Sequence, residues 1–290
     1  MQAMQFYAPT SVEEAINTLS QASPPVKILA GGTDLLVQLR AGVIQPGSIV
    51  DIKKIPATHE VSISEQGTYI GASISGAEFT EHPELPAMWP GVAEAFDIIG
   101  STQVQGRATL AGNLCNASPA ADSVPAMIAA GAIAIVAGPE GQREVAVEDI
   151  PASPGKTTLA ANEFIVAFKL PNRAKRSGDA YLRMTPRSEM DIAIVGLGVN
   201  ITLDTDGVCI AARVGLGAVA ATALKVDAAA EALIGTTVHS AAIEKMQAAV
   251  RAACHPIDDK RGTIEYRIHI AGVLAKRAVE IALKRANANQ

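Results

Sequence analysis

Two glycine-containing segments, each leading into a helical pattern, place the tightest limits on how this chain folds. The first, "KILAGGTDLLVQLR" (27–40), passes from a strand-like apolar run through Gly31 and Gly32 into an apolar pattern of helical spacing. Glycine in such a turn lets backbone N–H groups approach a ligand closely, and the following helix adds partial positive charge. The segment fits a phosphate-binding loop and, equally, an ordinary turn. It is not the dinucleotide fingerprint, because Thr33 and Asp34 follow without a third glycine.

The second segment, "ATLAGNLCNASPAADSVPAMIAAGA" (108–132), places short polar residues in an apolar stretch that leads into a helical pattern. These polar residues and the accompanying glycine are Thr109, Gly112, Asn113, Asn116, Ser118 and Asp122. Hydroxyl, amide and backbone donors of this kind bind phosphates and hydroxyls, but they also satisfy their own backbone in turn-rich connections. Asp122 fits a carboxylate that accepts from ribose or ribityl hydroxyls, and it also fits an N-cap of the next helix.

Composition excludes several function classes. The formal charge of −5 is spread over interspersed acidic and basic residues and aromatic content is 3%, so no nucleic-acid partner is expected. Cys115, Cys209 and Cys254 are far apart, which leaves no cysteine cluster for iron–sulfur or zinc. Free thiols, with no secretory signal and no long apolar run, predict a soluble cytoplasmic protein without membrane insertion. No pattern indicates a catalytic triad or paired catalytic carboxylates, so no catalytic side chain is expected.

The order of predicted elements indicates an α+β protein made of three units. Residues 1 to about 56 read as helix, strand, glycine loop, helix and strand, and the first helix carries a capping pattern of Ser11 and Glu14. Residues 57–174 read as a hairpin, helices that include "ELPAMWPGVAEAFDII" and "SVPAMIAAGA", a second hairpin and a strand. The polar, basic "PNRAKRSGD" (171–179) predicts a boundary. Strands and then helices follow, and the sequence is divided into domains 1–174 and 178–290.

These segments together resemble a known family. "KILAGGTDLL" and "GRATLAGNLCNASPAADSVPAMIAAGA" resemble the FAD-binding medium subunit of the molybdenum hydroxylases, the family that contains xanthine dehydrogenase and aerobic carbon monoxide dehydrogenase. "AYLRMTPRSEMDIAIVGLGV" and "DDKRGTIEYRIHIAGVLAKRA" resemble the start and the final helical signature of that family's C-terminal domain. The resemblance implies a two-subdomain PCMH-type FAD-binding domain, followed by a C-terminal domain with a three-stranded antiparallel sheet and a helical bundle.

The resemblance also implies which residues bind FAD. The first pyrophosphate loop corresponds to Ile28, Leu29, Ala30, Gly31, Gly32, Thr33, Asp34 and Leu35, and the second to Thr109, Leu110, Ala111, Gly112 and Asn113. Further cofactor-binding positions correspond to Lys27, Ile99, Ser118, Asp122, Ile165 and Arg183. A basic group such as Lys27 or Arg183 near the flavin would stabilise the anionic reduced ring.

The function implied by the resemblance is electron transfer within an oxidoreductase complex. In such enzymes a molybdenum cofactor on a large subunit oxidises substrate, and two 2Fe-2S clusters on a small subunit pass electrons to FAD and then to an external acceptor. This chain lacks cluster cysteines, so it corresponds to the FAD module, which does not turn over substrate alone. The expected assembly is a dimer of heterotrimers.

Departures from the family pattern limit this interpretation. Relatives that oxidise carbon monoxide carry His-Ser where this chain has Thr33 and Asp34, which argues against carbon monoxide as the substrate. Only Cys115 lies near a glycine loop, so noncovalent FAD is expected. A self-sufficient flavin oxidase and a non-redox nucleotide-binding regulatory or assembly protein remain alternatives. Valine at Gly32 or Gly112 is predicted to abolish FAD retention while leaving the fold largely intact.

Overall fold

The first unit is a small parallel sheet with two helices. The computed structural model describes residues 4–289, so residues 1–3 and 290 of the predicted domains lie outside it. The elements are β1 (Gln5–Tyr7), α1 (Val12–Gln21), β2 (Val26–Leu29), α2 (Leu35–Arg40) and β3 (Ser48–Asp51). The strands pair in the order β1-β3-β2, all parallel, and short 3-10 turns follow at Ile52–Lys54 and Pro56–Thr58. The Ser11 hydroxyl accepts from the Glu14 N–H, which confirms the predicted helix start.

The second unit is built on a five-stranded antiparallel sheet. Its first strands and helices are β4 (Val61–Ser64), β5 (Gly67–Gly71), α3 (Gly76–Thr80), α4 (Leu85–Met88), α5 (Pro90–Asp97), α6 (Thr102–Gln105), α7 (Leu110–Cys115) and α8 (Ser123–Ala130). They are followed by β6 (Ile133–Gly138), β7 (Gly141–Ala146), a 3-10 turn at Val147–Asp149, β8 (Pro151–Ser153), β9 (Lys156–Thr157) and β10 (Phe164–Leu170). The main sheet has the order β4-β5-β10-β6-β7, and both predicted hairpins are present.

The helix predicted over "ELPAMWPGVAEAFDII" is two helices. Trp89, with φ −132° and ψ 64°, separates α4 from α5. Pro90 causes the break, because its ring disfavours helical backbone at the residue before it. The Trp89 side chain is buried in the core between the two helices and their neighbours.

The third unit packs helices on a second antiparallel sheet. Its elements are β11 (Ser177–Met184), β12 (Val195–Leu203), β13 (Cys209–Gly217), β14 (Leu224–Lys225), α9 (Asp227–Glu231), α10 (Ser240–Ala252) and α11 (Ile264–Ala288). The three-stranded sheet expected here is wrong by one strand, because Leu224–Lys225 pairs with β13 and makes the sheet four-stranded. A two-residue strand has too short a pattern to be recognised in sequence. Ser177 already belongs to β11, so the connecting segment is 171–176 rather than 171–179.

Helix α8 joins the second unit to the third. Every residue of α8 is buried, and the helix lies against β12 and β13. Glycine makes this approach possible, because a Cβ at Gly198 or Gly215 would overlap the Pro125 carbonyl oxygen. The helix that follows the second glycine segment is thereby held rigidly at the junction between the units.

Two hydrophobic clusters form the core. One combines the first and second units with Tyr181 and Ala223 of the third, and it includes Phe79 and Phe96, whose ring centroids are 5.4 Å apart. The other lies between the sheet and helices of the third unit. Within the described residues, no helix has both the length and the apolar character needed to cross a membrane.

Candidate cofactor site

The two glycine segments meet in space and enclose one cavity of about 290 Å³. The first segment lies directly against the start of the second, since a Cβ at Gly31 would overlap the Arg107 carbonyl oxygen. The predicted site residues that line the cavity are Lys27, Ile28, Ala30, Gly31, Gly32, Thr33, Asp34, Leu35, Ile99, Thr109, Ala111, Gly112, Asn113 and Ile165. Segments from both units therefore contribute to a single site.

Unused backbone donors are the main chemical feature of this cavity. Among residues 4–289, no acceptor takes a hydrogen bond from the N–H groups of Gly31, Gly32, Thr33 and Asp34. All four residues line the cavity. Backbone N–H groups without partners are costly unless water or a ligand accepts from them. A row of such donors suits an anionic group with several oxygens.

A lysine outside the predicted set fixes the first loop. The Lys53 ammonium group donates to the Ala30 carbonyl oxygen at 2.9 Å and to the Asp51 carboxylate at 2.7 Å. Because the Ala30 carbonyl oxygen is bound by Lys53, the backbone is fixed in position immediately before Gly31. Lysine here positions backbone, a role that residue type alone does not show.

In the second loop, the position that a side chain of residue 112 would occupy is almost empty. Gly112 lies in α7, and an added Cβ would meet within 4 Å only the Thr109 hydroxyl oxygen, at 3.0 Å. That hydroxyl caps the helix by accepting from the Gly112 N–H. The protein itself does not fill this position, so the lining fits a ligand that approaches the backbone closely.

Gly32 is required for a different reason. Its φ is +84°, in the left-handed region, and a Cβ there would meet the Leu29 side chain at 2.8 Å. The expectation that valine at position 32 leaves the fold intact is therefore wrong, because a β-branched residue is strained in this conformation. At Gly112 no such backbone constraint exists.

Asp122 does not line the cavity. Its carboxylate accepts from the Tyr181 hydroxyl at 2.8 Å and from the Arg183 guanidinium at 2.7 Å, both on β11. Asp122 also occupies the N-cap position of α8, as the alternative expected, but its side chain makes no capping hydrogen bond there. Burial raises the pKa of the Asp122 carboxyl above its ordinary value, although the Arg183 charge opposes this shift. The network links the start of α8 to β11 in the third unit.

The remaining predicted residues also lie outside the cavity lining, which lacks Leu29, Leu110, Ser118 and Arg183 as well as Asp122. Leu29 and Leu110 are buried apolar side chains. The Ser118 hydroxyl accepts from the Ala120 N–H at 3.3 Å, which is the local satisfaction that short polar residues in turns commonly show. The polar character of the second segment thus serves partly its own backbone.

A third wall of the cavity has no motif in the sequence. It comprises Thr157, Leu159, Ala160, Ala161, Glu163 and Phe164, and of this region only Ile165 was predicted. Glu163 fixes the wall by accepting from Arg143 at 2.9 Å through both carboxylate oxygens and from the Ala160 N–H. Gln38 and Asn116 also line the cavity, and the amide side chains were the available signal for them.

The electrostatics of the cavity are mixed. Partial burial raises the pKa of the Asp34 carboxyl, whereas the hydrogen bonds from Arg143 lower the pKa of Glu163. Burial raises the pKa of the Cys115 thiol to about 12, so this residue is not a thiolate nucleophile near neutral pH. In the described part of the chain, no group of three or more His, Cys, Asp or Glu side chains is arranged to hold a metal ion.

Comparison with known proteins decides the family. Residues 2–173 match the family described as "FAD binding domain in molybdopterin dehydrogenase", and residues 180–282 match "CO dehydrogenase flavoprotein C-terminal domain". The chain belongs to this FAD-binding family of the molybdenum hydroxylases. It is 31% identical over 281 residues to the carbon monoxide dehydrogenase medium chain of Hydrogenophaga pseudoflava, with 97% of each chain covered.

Other relatives in this family carry the names of different dehydrogenases. The putative xanthine dehydrogenase FAD-binding subunit of Escherichia coli is 28% identical over 280 residues, covering 96% of this chain and 95% of that protein. Among solved structures, carbon monoxide dehydrogenase from Hydrogenophaga pseudoflava superposes with a TM-score of 0.93 at 32% identity, covering 97% and 98% of the two chains. These relatives are subunits of oxidoreductases, and the chain is an FAD-binding subunit of this class.

Proposed function

We propose that this chain carries noncovalent FAD in the cavity between its two glycine loops and relays electrons within a molybdenum hydroxylase complex. The observation that carries the proposal is the row of four unused N–H donors at Gly31 to Asp34, together with the open position at Gly112 in the lining of the same cavity. A diphosphate has enough oxygens to accept from such a row, and it needs the close backbone approach that Gly112 allows.

The residues present would divide the work of holding FAD. The two glycine loops would bind its diphosphate, and the apolar side chains of Ile99 and Ile165 would contact its rings. Lys27 is the cationic side chain lining the cavity within residues 4–289. When bound, FAD would supply redox chemistry between an iron–sulfur centre and an acceptor. The chain's own residues bind the cofactor, orient it and tune its charge.

Ser118, Asp122 and Arg183 would act from outside the cavity lining. The Asp122–Arg183 ion pair and the hydrogen bond from the Tyr181 hydroxyl connect the start of α8 to β11. We propose that this network sets the orientation of the third unit relative to the cofactor. We also propose that the chain divides functionally into residues 1–174 and 178–290. The second hydrophobic cluster, which lies wholly within the third unit, supports that division, while Tyr181 and Ala223 of that unit pack in the first cluster at the junction.

The proposed partners are an iron–sulfur small subunit and a molybdenum large subunit, joined as a dimer of heterotrimers in the cytoplasm. Relatives are named as medium chains or as subunits of dehydrogenase complexes, which supports this assembly. The substrate would be chosen on the large subunit. Thr33 and Asp34 set this chain apart from the carbon monoxide-oxidising pattern.

The test begins with the purified chain and FAD. We expect flavin absorption bands, or saturable uptake of FAD on titration, with flavin released intact on denaturation. Coexpression with the neighbouring small and large subunits should yield a complex containing flavin, iron and molybdenum. Absence of FAD binding would overturn the proposal and leave a non-redox nucleotide-binding protein. Substrate turnover by the isolated flavin-loaded chain would instead indicate a self-sufficient oxidase.

A further inference from the structure

A hydrogen bond joins the helix that follows the first glycine loop to the end of the helix that contains the second. The Gln38 side-chain amide on α2 donates to the Asn116 side-chain carbonyl, at the end of α7, over 3.2 Å. The two residues are 78 positions apart in sequence, and both line the cavity. The bond therefore connects α2, which follows the first glycine loop, to the end of α7, which contains the second.

Helix α2 has little else to hold it in place. None of its six residues is buried, and Leu36 and Val37 are 52% and 64% exposed. Most helices in proteins are stabilised by packing an apolar face, which α2 largely lacks. The hydrogen bond from Gln38 therefore contributes a larger share of the interactions that hold α2 in place.

Asn116 stands on a rigid support. It caps α7, and the next residue, Ala117, has φ +50° and is buried. The Ala117 carbonyl also accepts from the Gly155 N–H at 3.0 Å. A residue held in the left-handed region persists only where its surroundings fix it. The bond thus ties a weakly packed helix to a fixed turn.

Movement of α2 would change the first loop directly. The helix begins at Leu35, immediately after the unused N–H groups of Gly31 to Asp34, and the Leu36 N–H donates to the Gly32 carbonyl. If α2 swings away, these donors move with it. Release of Gln38 would therefore open the site that the two loops form.

We infer that Gln38 and Asn116 form a latch that holds the first glycine loop closed on the FAD diphosphate and slows FAD release. This inference rests on the proposed function. Both are positioning residues, which act through α2 and the loop. The latch makes retention of the cofactor depend on one side-chain hydrogen bond between distant segments.

The test measures FAD dissociation from the FAD-loaded full chain. Flavin remaining after timed gel filtration is compared for the wild type, Gln38→Leu, Asn116→Leu and the double variant. One neutral hydrogen bond corresponds to a change of about fivefold. We expect each single variant to release FAD about fivefold faster, and the double variant to match the singles because both changes break the same bond.

Two further variants separate a latch from a general structural effect. The exchanged pair Gln38→Asn with Asn116→Gln keeps the combined side-chain length and should restore slow release. Gln103→Leu, at an exposed position on α6 outside the cavity, should leave the rate unchanged. Single-variant rates within twofold of the wild type, or effects that multiply in the double variant, would overturn the latch while leaving the FAD site standing. Wild-type protein that binds no FAD overturns both.

Discussion

Replacement of Gly112 by alanine separates the needs of the fold from the needs of the cofactor. An alanine Cβ at this position meets only the Thr109 hydroxyl oxygen, at 3.0 Å, and the residue already lies in α7. The polypeptide can accept the methyl group with a small adjustment of that hydroxyl. A cofactor lying against the backbone cannot, because the methyl group stands where it approaches.

The expected effects on stability and on affinity have opposite signs. Alanine is favoured over glycine in a helix by roughly 0.5–1 kcal/mol, so the cofactor-free protein should become slightly more stable. Blocked access to a charge-assisted backbone hydrogen bond costs about 1.5–3 kcal/mol. FAD affinity should therefore fall by a factor of about 10 to 100.

The assay combines thermal unfolding of the cofactor-free chain with FAD titration followed by flavin absorbance. Gly106→Ala is the matched control, because Gly106 follows α6 with helical backbone, lies outside the cavity and offers its Cβ ordinary contacts at 3.7 Å and beyond. It should bind FAD like the wild type. Gly31→Ala should instead damage the fold, since its Cβ overlaps the Arg107 carbonyl.

Two outcomes of this assay would contradict a cofactor site at the second loop. If Gly112→Ala binds FAD with wild-type affinity, the open position at Gly112 does not face the cofactor. If the variant loses stability and affinity together, the position is structural. Only a loss of affinity with retained or increased stability of the cofactor-free chain agrees with the proposed site.

Two further predictions concern charged side chains. Arg267→Met should lower the free energy of unfolding in urea by about 3 kcal/mol, because the buried guanidinium donates to three backbone carbonyls and to Asp259. The exposed Arg277→Ala on the same helix should change it by less than about 0.5 kcal/mol. For Asp34, whose pKa is raised by desolvation, protonation removes a negative charge beside the diphosphate, so FAD affinity should rise as pH falls through that pKa. Asp34→Asn should bind FAD about three- to tenfold more tightly near neutral pH and lose this pH dependence, and equal pH profiles would contradict the placement of Asp34.

Much of the secondary structure could be predicted because its signals are local. The Ser11 cap, the two hairpins and the helix over Ser123–Ala130 follow from capping chemistry, alternation and turn residues within a few positions. Pro90 broke a predicted helix, and Leu224–Lys225 added an unpredicted strand. A two-residue strand exists only because β13 lies beside it.

At the site, too, some features follow from local sequence and others depend on how distant segments pack together. The sequence predicted two glycine-containing segments whose residues suit a phosphate, but it left an ordinary turn equally open for the first of them. The packing of Gly31 on Arg107, the third wall fixed by Glu163, and the pairing of Arg183 with Asp122 outside the lining depend on the three-dimensional arrangement of the chain. Donor chemistry belongs to each residue and its neighbours, whereas contact between loops depends on the packing of helices and sheets that lie far apart in the chain.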